Sequence, residues 1–542
     1  MRAIDLYAGV GGWSLGLRLA GIEVVASYEW WDRAVETHNR NHGGGAKPVD
    51  IRTMDRASLP RDIDLVVGSP PCTEFSYSNR GGNGNLEEGL KDLVRFFEVV
   101  ECLKPRWWVM ENVPRVAEVL RHGFDTIGHP LHRFRHLRSD INIFDMSDFG
   151  VPQARKRCIA GNIRFDLLQS YSAVVGRRTL GDVVAAFSTD IVVDPVWGVE
   201  LSRNQLTEME TEAPLNAEEL RMNREAKLYH PVYNNMSFPD DFEAPARTVT
   251  ATCTRVSRES IVIADPLREG SFRRLTIRER ATLQGFPITY QFYGQRFGEK
   301  AKMAGNAIPP PFTYLVACAV QGTPATRLRT FEEAGGDLRL PDTLPLPTTP
   351  DEEGRTFPEK RRFRAALPYL RFKSGMRFDL SNQFEPRGPV WKVRFYFGPS
   401  KDVRQVDMDD ALGRDLQRSP LVATVVSELA PAFERASNVI RRSTPVLLQR
   451  AWTKRVAGVG PFEITDALGT LADEVYGRLV AAAAEDQTVE AFVVSVAATD
   501  ETSADLPSVP KLKRNALRIL SGLIVGCWFN AEFEREPERV AA

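Results

Sequence analysis

Short apolar runs alternate with longer amphipathic stretches through the first third of the chain. Ala3-Ile-Asp-Leu-Tyr7 reads as a strand, and Trp13 to Ala20 has helical spacing. Glu23 to Tyr28 reads as a second strand, Asp64-Leu-Val-Val-Gly68 as a buried one, and Leu90 to Leu103 as a helix. Pro105 to Met110 is a further strand, with another near Ile141. Strand–helix alternation of this kind predicts an α/β fold around a largely parallel sheet. From about Phe165 to Ala246 the alternation fades; Arg247 to Ala251 and Ser260 to Ala264 then read as strands. Thr276 with Glu279 three residues on predicts a capped helix, stopped at Gln284-Gly-Phe-Pro287. Phe312 to Val320 is an apolar helix. Residues 323–360, with Pro341-Asp-Thr-Leu-Pro-Leu-Pro-Thr-Thr-Pro350, read as a linker. Beyond it a separate α+β domain is expected: strands at Met376 to Leu380, Val390 to Phe397 and Glu490 to Val496, and helices near Leu421 to Arg441, Ile464 to Ala484 and Lys511 to Cys527.

Composition narrows the class. The 542 residues, 43% hydrophobic and 26% charged, suit a soluble globular chain long enough for more than one core. No apolar run reaches the roughly 18 residues that span a bilayer, and the amino terminus enters a strand at once, so neither a membrane segment nor a signal peptide is expected. The 6 cysteines (Cys72, Cys102, Cys158, Cys253, Cys318 and Cys527) show no metal-ligand pairing; free thiols in a reducing cytoplasm and no metal are expected. The His- and Arg-rich stretch Arg121 to Arg138 interleaves no thiol and a single acid, Asp125, and reads as a solvated or phosphate-facing surface. A net charge of −1 means that any nucleic-acid contact must come from local patches. Glu208, Glu210, Glu212, Glu218 and Glu219 read as an outward loop, leaving Arg221, Arg224 and Lys227 for such a contact. In the C-terminal part, basic clusters such as Arg361-Arg-Phe-Arg364 and Lys511-Leu-Lys-Arg514 are spread among acids and read as solvated surface.

The candidate chemistry centres on Gly68-Ser-Pro-Pro-Cys-Thr-Glu-Phe-Ser76. Two prolines stop ladder and helix alike, so Cys72 should sit on a stiff turn at a strand's carboxyl end, where open α/β sheets bind ligands. That suits a nucleophile, and equally a structural cysteine. A free thiol, with a pKa of about 8.5, needs a local device to become reactive. The glycine turn Ala8 to Gly12 opens a helix and suits close backbone approach to a ligand, though not in the dinucleotide spacing. Glu29, at the end of the second strand, suits ribose hydroxyls. Trp30 is either a face for adenine or a core aromatic. The polar, glycine-rich run Ser76 to Asn85 reads as a lid over substrate. The strand ending at Met110 delivers Glu111 and Asn112 to the same sheet edge as Cys72, and Arg155 and Arg157 share one face of an extended segment.

Asp5-Leu-Tyr-Ala-Gly-Val-Gly-Gly12, Pro71-Cys72, Glu111-Asn-Val113, Gln153-Ala-Arg-Lys-Arg157 and Gly305-Asn-Ala307, in this order, resemble the DNA (cytosine-5)-methyltransferase family as far as about Ala325. The resemblance implies a Rossmann-like S-adenosylmethionine-dependent methyltransferase domain (residues 1–164 and 272–322), an inserted target-recognition region (165–271), double-stranded DNA as partner, and a cytoplasmic, nucleoid-associated setting with restriction or defence proteins as further partners. It assigns Cys72 as the nucleophile that attacks carbon 6 of a flipped-out cytosine, Glu111 as the group holding the N3/N4 edge, Arg157 as the donor to O2, Arg155 beside it towards phosphate or the thiolate, and Asn112 as the residue that orients the Cys72 loop. It assigns Asp5, Tyr7, Gly9, Gly11, Gly12, Glu29, Trp30, Asp50, Ile51, Pro71, Asn306 and Ala307 to the cofactor. The sequence departs from the family at Thr73-Glu74, where glutamine usually follows the cysteine, and at Tyr7, usually phenylalanine. A transfer-RNA methyltransferase on the same fold is the runner-up. A dinucleotide oxidoreductase would leave Cys72, Glu111 and Arg157 idle.

Overall fold

A computed structural model describes the chain except for residues 76–84, 230–234, 253, 351–355, 373–374, 400–401, 483–486, 499–505 and 535–542. Cys253 and most of the stretch read as a lid therefore lie outside the described residues. The chain forms two compact units, residues 1–226 with 237–352, and residues 227–236 with 353–542.

The first unit is built on a seven-stranded sheet. Its strands are β1 (Arg2–Leu6), β2 (Glu23–Glu29), β3 (Ala46–Pro48), β4 (Leu65–Gly68), β5 (Trp107–Asn112), β6 (Asp140–Asp145) and, after a two-residue strand β7 (Gln153–Ala154), β8 (Lys156–Gly161). The order is β3-β2-β1-β4-β5-β8-β6. The first five run parallel; β8 lies antiparallel to both β5 and β6. Strands buried on both faces explain near-continuous apolar runs such as Leu65-Val-Val-Gly68. One face packs on Trp13, Leu17, Phe149, Phe312 and Leu315, the other on Phe96, Phe97, Trp108, Phe124 and Phe134.

The helix Pro310–Gln321 returns to lie along Gly12–Leu19, so both ends of this segment build one layer. Their approach is close: a Cβ on Gly16 would fall 2.1 Å from Thr313 Oγ1 and 2.4 Å from the Tyr314 backbone nitrogen.

The segment after β8 carries two small ribbons, β9 (Ile191–Val193) with β10 (Glu200–Ser202), and β12 (Val262–Ala264) with β13 (Phe272–Arg274). Between them β11 (Ala246–Arg247) pairs with β7, shorter than the expected run to Ala251. The capping box of Thr276 and Glu279 forms as expected.

Of the acids in this stretch only Glu210 is fully outward; the rest do not form a solvated loop. Glu208 and Glu212 are 2% and 3% exposed. Glu212 pairs with Arg255 and Arg274, Glu219 with Arg255, and Glu208 with Lys300. Burial of these carboxylates is tolerable only because each meets a cation inside the fold. Lys227, expected near DNA, is fully buried as well.

The proline-rich stretch is also more ordered than a linker. A short helix, Phe331–Gly335, is capped by Thr330, and Phe331, Ala334, Pro345 and Thr348 are buried. Prolines remove backbone freedom, but here side chains between them supply anchors.

The second unit holds an antiparallel sheet, β14 (Arg364–Arg371), β15 (Arg377–Glu385), β16 (Gly388–Phe397) and β17 (Arg404–Asp407), in that order. Glu490 to Val496, expected as a strand, lies in the helix Gln487–Ala497, because Val489, Val493 and Ala497 recur at helical spacing on a buried face. The expected helix Leu421 to Arg441 is two, Pro420–Glu428 and Ala430–Ile440, the second opening at a proline. The final helix likewise divides into Val509–Arg514 and Ala516–Glu534. Within it, Ala516–Phe533 is long and apolar enough to cross a membrane, contrary to the sequence reading, yet 72% of it is buried in the fold. It packs against β16, where Asn530 bonds both the amide and the carbonyl of Val393.

Gly16→Ala should destabilise the first unit by about 1–3 kcal/mol, since the methyl group can fit only if two helices part. Urea unfolding followed by tryptophan fluorescence measures this. Gly298→Ala, in the helix Phe297–Asn306 with nothing within 4 Å of its Cβ position, controls for the glycine-to-alanine change in helical backbone alone.

Candidate active site

β4 ends at Gly68, whose Cβ position would lie 2.8 Å from the Leu6 carbonyl oxygen; a side chain there would push β1 and β4 apart. Ser69-Pro-Pro71 then carries the chain off the sheet to Cys72. Two anchors hold this turn. Asn112 Nδ2 donates to the Pro70 carbonyl at 3.0 Å, and the Phe75 amide donates to the Cys72 carbonyl at 3.0 Å with the Phe75 ring fully buried. Cys72 itself is half-buried.

Glu111 and Asn112 close β5, paired across to Ile159 and Cys158 of β8. Arg157, at the start of β8, reaches back to Glu111, with Nε 3.0 Å from Oε1. Burial pushes the Cys72 thiol up, and the Glu111 carboxylate adds to the rise; Arg157 and Arg155 oppose it. The thiol is therefore held protonated at rest, within electrostatic reach of an acid and two guanidinium groups.

Arg155 does not turn towards a phosphate. It is buried and donates to the carbonyls of Val249, Gly305 and Ala307 at 3.1–3.2 Å. Burial brings its pKa down to about 9. It ties the Cys72 neighbourhood to Val249 and to the segment that leads into the returning helix. Cys158 is buried in the core with its thiol pushed up to about 12 by burial, which removes it as a nucleophile near neutral pH.

Beside the Cys72 turn opens a cavity of about 360 Å³ lined by Tyr7, Trp30, Val49, Asp50, Ile51, Arg52, Pro71, Thr73, Glu74, Glu88, Gly89 and Asp92. Tyr7, Trp30, Asp50, Ile51 and Pro71, among the residues that the resemblance assigns to the cofactor, are on its wall. Trp30 is 67% exposed and is no core aromatic. Glu29 stands behind it, accepting from the amides of Gly9 at 2.9 Å and Trp31 at 2.8 Å. Gly9, at φ 52°, has nothing within 4 Å of its Cβ position, so the turn leaves space for a ligand.

The other expected cofactor residues stand off the wall. Asp5 lies fully buried behind the turn, accepting from Ser14 Oγ at 2.8 Å, and burial raises its pKa to about 7. Gly11 and Gly12 pack against His38, His42 and Ile308. Asn306 is exposed, and Ala307 meets Arg155 through its carbonyl.

Sequence reasoning missed Arg52, Glu88 and Asp92. Arg52 forks onto Asp92 at 2.9 and 2.7 Å and also pairs with Glu88. Arg52 follows Asp50-Ile51 directly and could have been suspected; the two acids are remote in sequence and left no signal.

The profile of the C-5 cytosine-specific DNA methylase family matches residues 1–321. The Type II methyltransferase M.FnuDI of Fusobacterium nucleatum is 25% identical over 340 residues, covering 60% of this chain and 95% of its own. M.HindV of Haemophilus influenzae is 28% identical over 327 residues, covering 59% of this chain and 96% of its own. M.HgiDI of Herpetosiphon aurantiacus is 26% identical over 330 residues, covering 59% and 94%. The chain belongs to the C-5 cytosine-specific DNA methylase family and is a DNA cytosine methyltransferase.

Alkylation of Cys72 by iodoacetamide, read by peptide mass, should be slow at pH 7 and rise about tenfold per pH unit up to pH 8.5, because only the thiolate reacts. Glu111→Gln should speed it at every pH in that range by removing a charge that opposes ionisation.

Proposed function

We propose that the cavity holds S-adenosylmethionine and that Cys72 forms a covalent adduct with the target cytosine. The observation that carries this reading is the half-buried Cys72 between the cavity wall at Pro71 and Thr73 and the Glu111–Arg157 pair. The cavity suits the cofactor chemically. Trp30 offers an uncovered aromatic face, Gly9 an open backbone, and Asp50, Glu74, Glu88 and Asp92 outnumber Arg52 as charges on the wall, which favours a ligand bearing sulfonium and ammonium groups. Bound there, it supplies a methyl group on a positively charged sulfur.

Cytosine in a duplex cannot reach such a site and must swing out of the stack, at a cost of a few kcal/mol. The Cys72 thiolate then forms a bond to carbon 6, and the carbon 5–carbon 6 π pair moves onto carbon 5, which becomes nucleophilic. Glu111 holds the N3/N4 edge and delivers a proton as charge develops. Arg157 donates to O2. Arg155, bound to three carbonyls, positions the wall rather than the base. After methyl transfer the carbon 5 proton departs, the double bond re-forms and the thiolate leaves. The family profile and the relatives' names support DNA over transfer RNA, and Type II in those names supports a restriction–modification setting with a nuclease as partner.

Glu29→Ala should weaken S-adenosylmethionine binding by about 1–3 kcal/mol in calorimetry, through lost hydrogen bonds. Equal affinity would remove Glu29 from the site.

DNA carrying 5-fluorocytosine, given with S-adenosylmethionine, should leave a denaturant-stable complex on Cys72, because fluorine cannot leave as a cation. Cys72→Ser should abolish it while duplex binding persists, since phosphate contacts need no thiol. A complex that survives in Cys72→Ser, or maps to Cys102, would place the nucleophile elsewhere.

A further inference from the structure

We infer that residues 329–348, which follow the family match, act as a brace that positions the recognition part against the catalytic part. The inference rests on the reading of residues 165–271 as the part that engages DNA.

The brace has anchors at both ends. At its start, the Phe331 ring is 4% exposed and sits between Trp197 of the recognition part, with ring centroids 5.4 Å apart, and Tyr314 of the returning helix, 6.0 Å apart. The Tyr314 hydroxyl donates to the Arg329 carbonyl at 3.1 Å. Arg178 lies over the Phe331 ring at 5.3 Å and pairs with Glu332 at 3.3 Å. Even the backbone is shaped for this side chain: a Cβ at Gly150 would meet the Phe331 ring at 2.6 Å.

The second anchor is polar. Tyr293, beyond the capped helix Ile277–Leu283, donates its hydroxyl to the Thr343 carbonyl. Lys300 is fully buried, paired with Glu208 of the recognition part, and donates to the Leu346 carbonyl at 2.8 Å. Thr348 Oγ1 donates to Glu208 Oε2 at 3.2 Å. A buried ion pair needs its remaining hydrogen-bonding capacity filled. Here the brace fills it on both partners, so the Lys300–Glu208 bridge between the two parts is complete only with this segment in place.

The family profile ends at residue 321, before this segment begins. The recognition part otherwise has small ribbons and a modest core. Phe331 and Thr348 are therefore positioning residues that act through Trp197 and Glu208, and touch neither the Cys72 site nor the cofactor cavity.

The test uses the full chain with Phe331→Ala, Phe331→Leu and Thr348→Val. Hydrogen–deuterium exchange should quicken at the amides of Val196 and Trp197 in Phe331→Ala and around Glu208 in Thr348→Val, with β1 and β4 unchanged. KM for duplex DNA should rise roughly 3- to 10-fold, the range that one lost buried contact supplies. KM for S-adenosylmethionine should stay at the wild-type value, and Phe331→Leu should recover most of the loss. Wild-type exchange and wild-type KM for DNA in both Phe331→Ala and Thr348→Val would overturn the brace. So would equal rises in both KM values, which mark general loosening. If the wild-type chain methylates no DNA, the functional reading fails, and exchange alone then decides the brace.

Discussion

Gly16 and Thr313 meet with no room for a methyl group between them. That contact seats the returning helix on the first one, and the site depends on it. The helix enters through Asn306-Ala-Ile-Pro309, where the Ala307 carbonyl accepts from Arg155 and Ile308 packs under Gly12. Arg155 precedes β8, and β8 holds Arg157 against Glu111 at the end of β5. A displacement at the helix crossing therefore reaches the acid–arginine pair through rigid, packed elements rather than through a mobile loop.

The parts of this arrangement visible in the sequence share one cause. Strands of the parallel sheet are buried on both faces, so their apolar runs stand out, and the turns at their carboxyl ends must carry residues with special backbone demands. Pro70-Pro71-Cys72, Gly9 and Glu111-Asn112 could be located for that reason. The fate of the charges could not. Glu208 and Glu212 look like solvated acids because the cations that neutralise them, Lys300, Arg255 and Arg274, come from distant stretches. The net charge of −1 hides the same fact, since composition counts charges and says nothing of which are paired.

Errors in the C-terminal part have a different origin. β-branched runs favour strands only weakly when a helical face can be buried instead, and Val489, Val493 and Ala497 found one. Proline content misleads in the other direction. Pro341 to Pro350 suggested a free linker, yet Thr343, Leu346 and Thr348 all meet partners across the fold. Stiff backbone lowers the entropy lost on docking, so a proline-rich segment is well suited to lie along a surface when anchors are provided.

Residues 227–236 interrupt the recognition part and group with the second unit, where the Arg371 guanidinium lies 5.1 Å over the Tyr229 ring. Two stretches remote in sequence thus belong to one compact unit. A graft that replaces residues 227–236 while keeping the native C-terminus would divide a single compact unit, which the sequence alone does not reveal. Boundaries drawn at the proline-rich stretch alone would leave residues 227–236 on the wrong side of the cut.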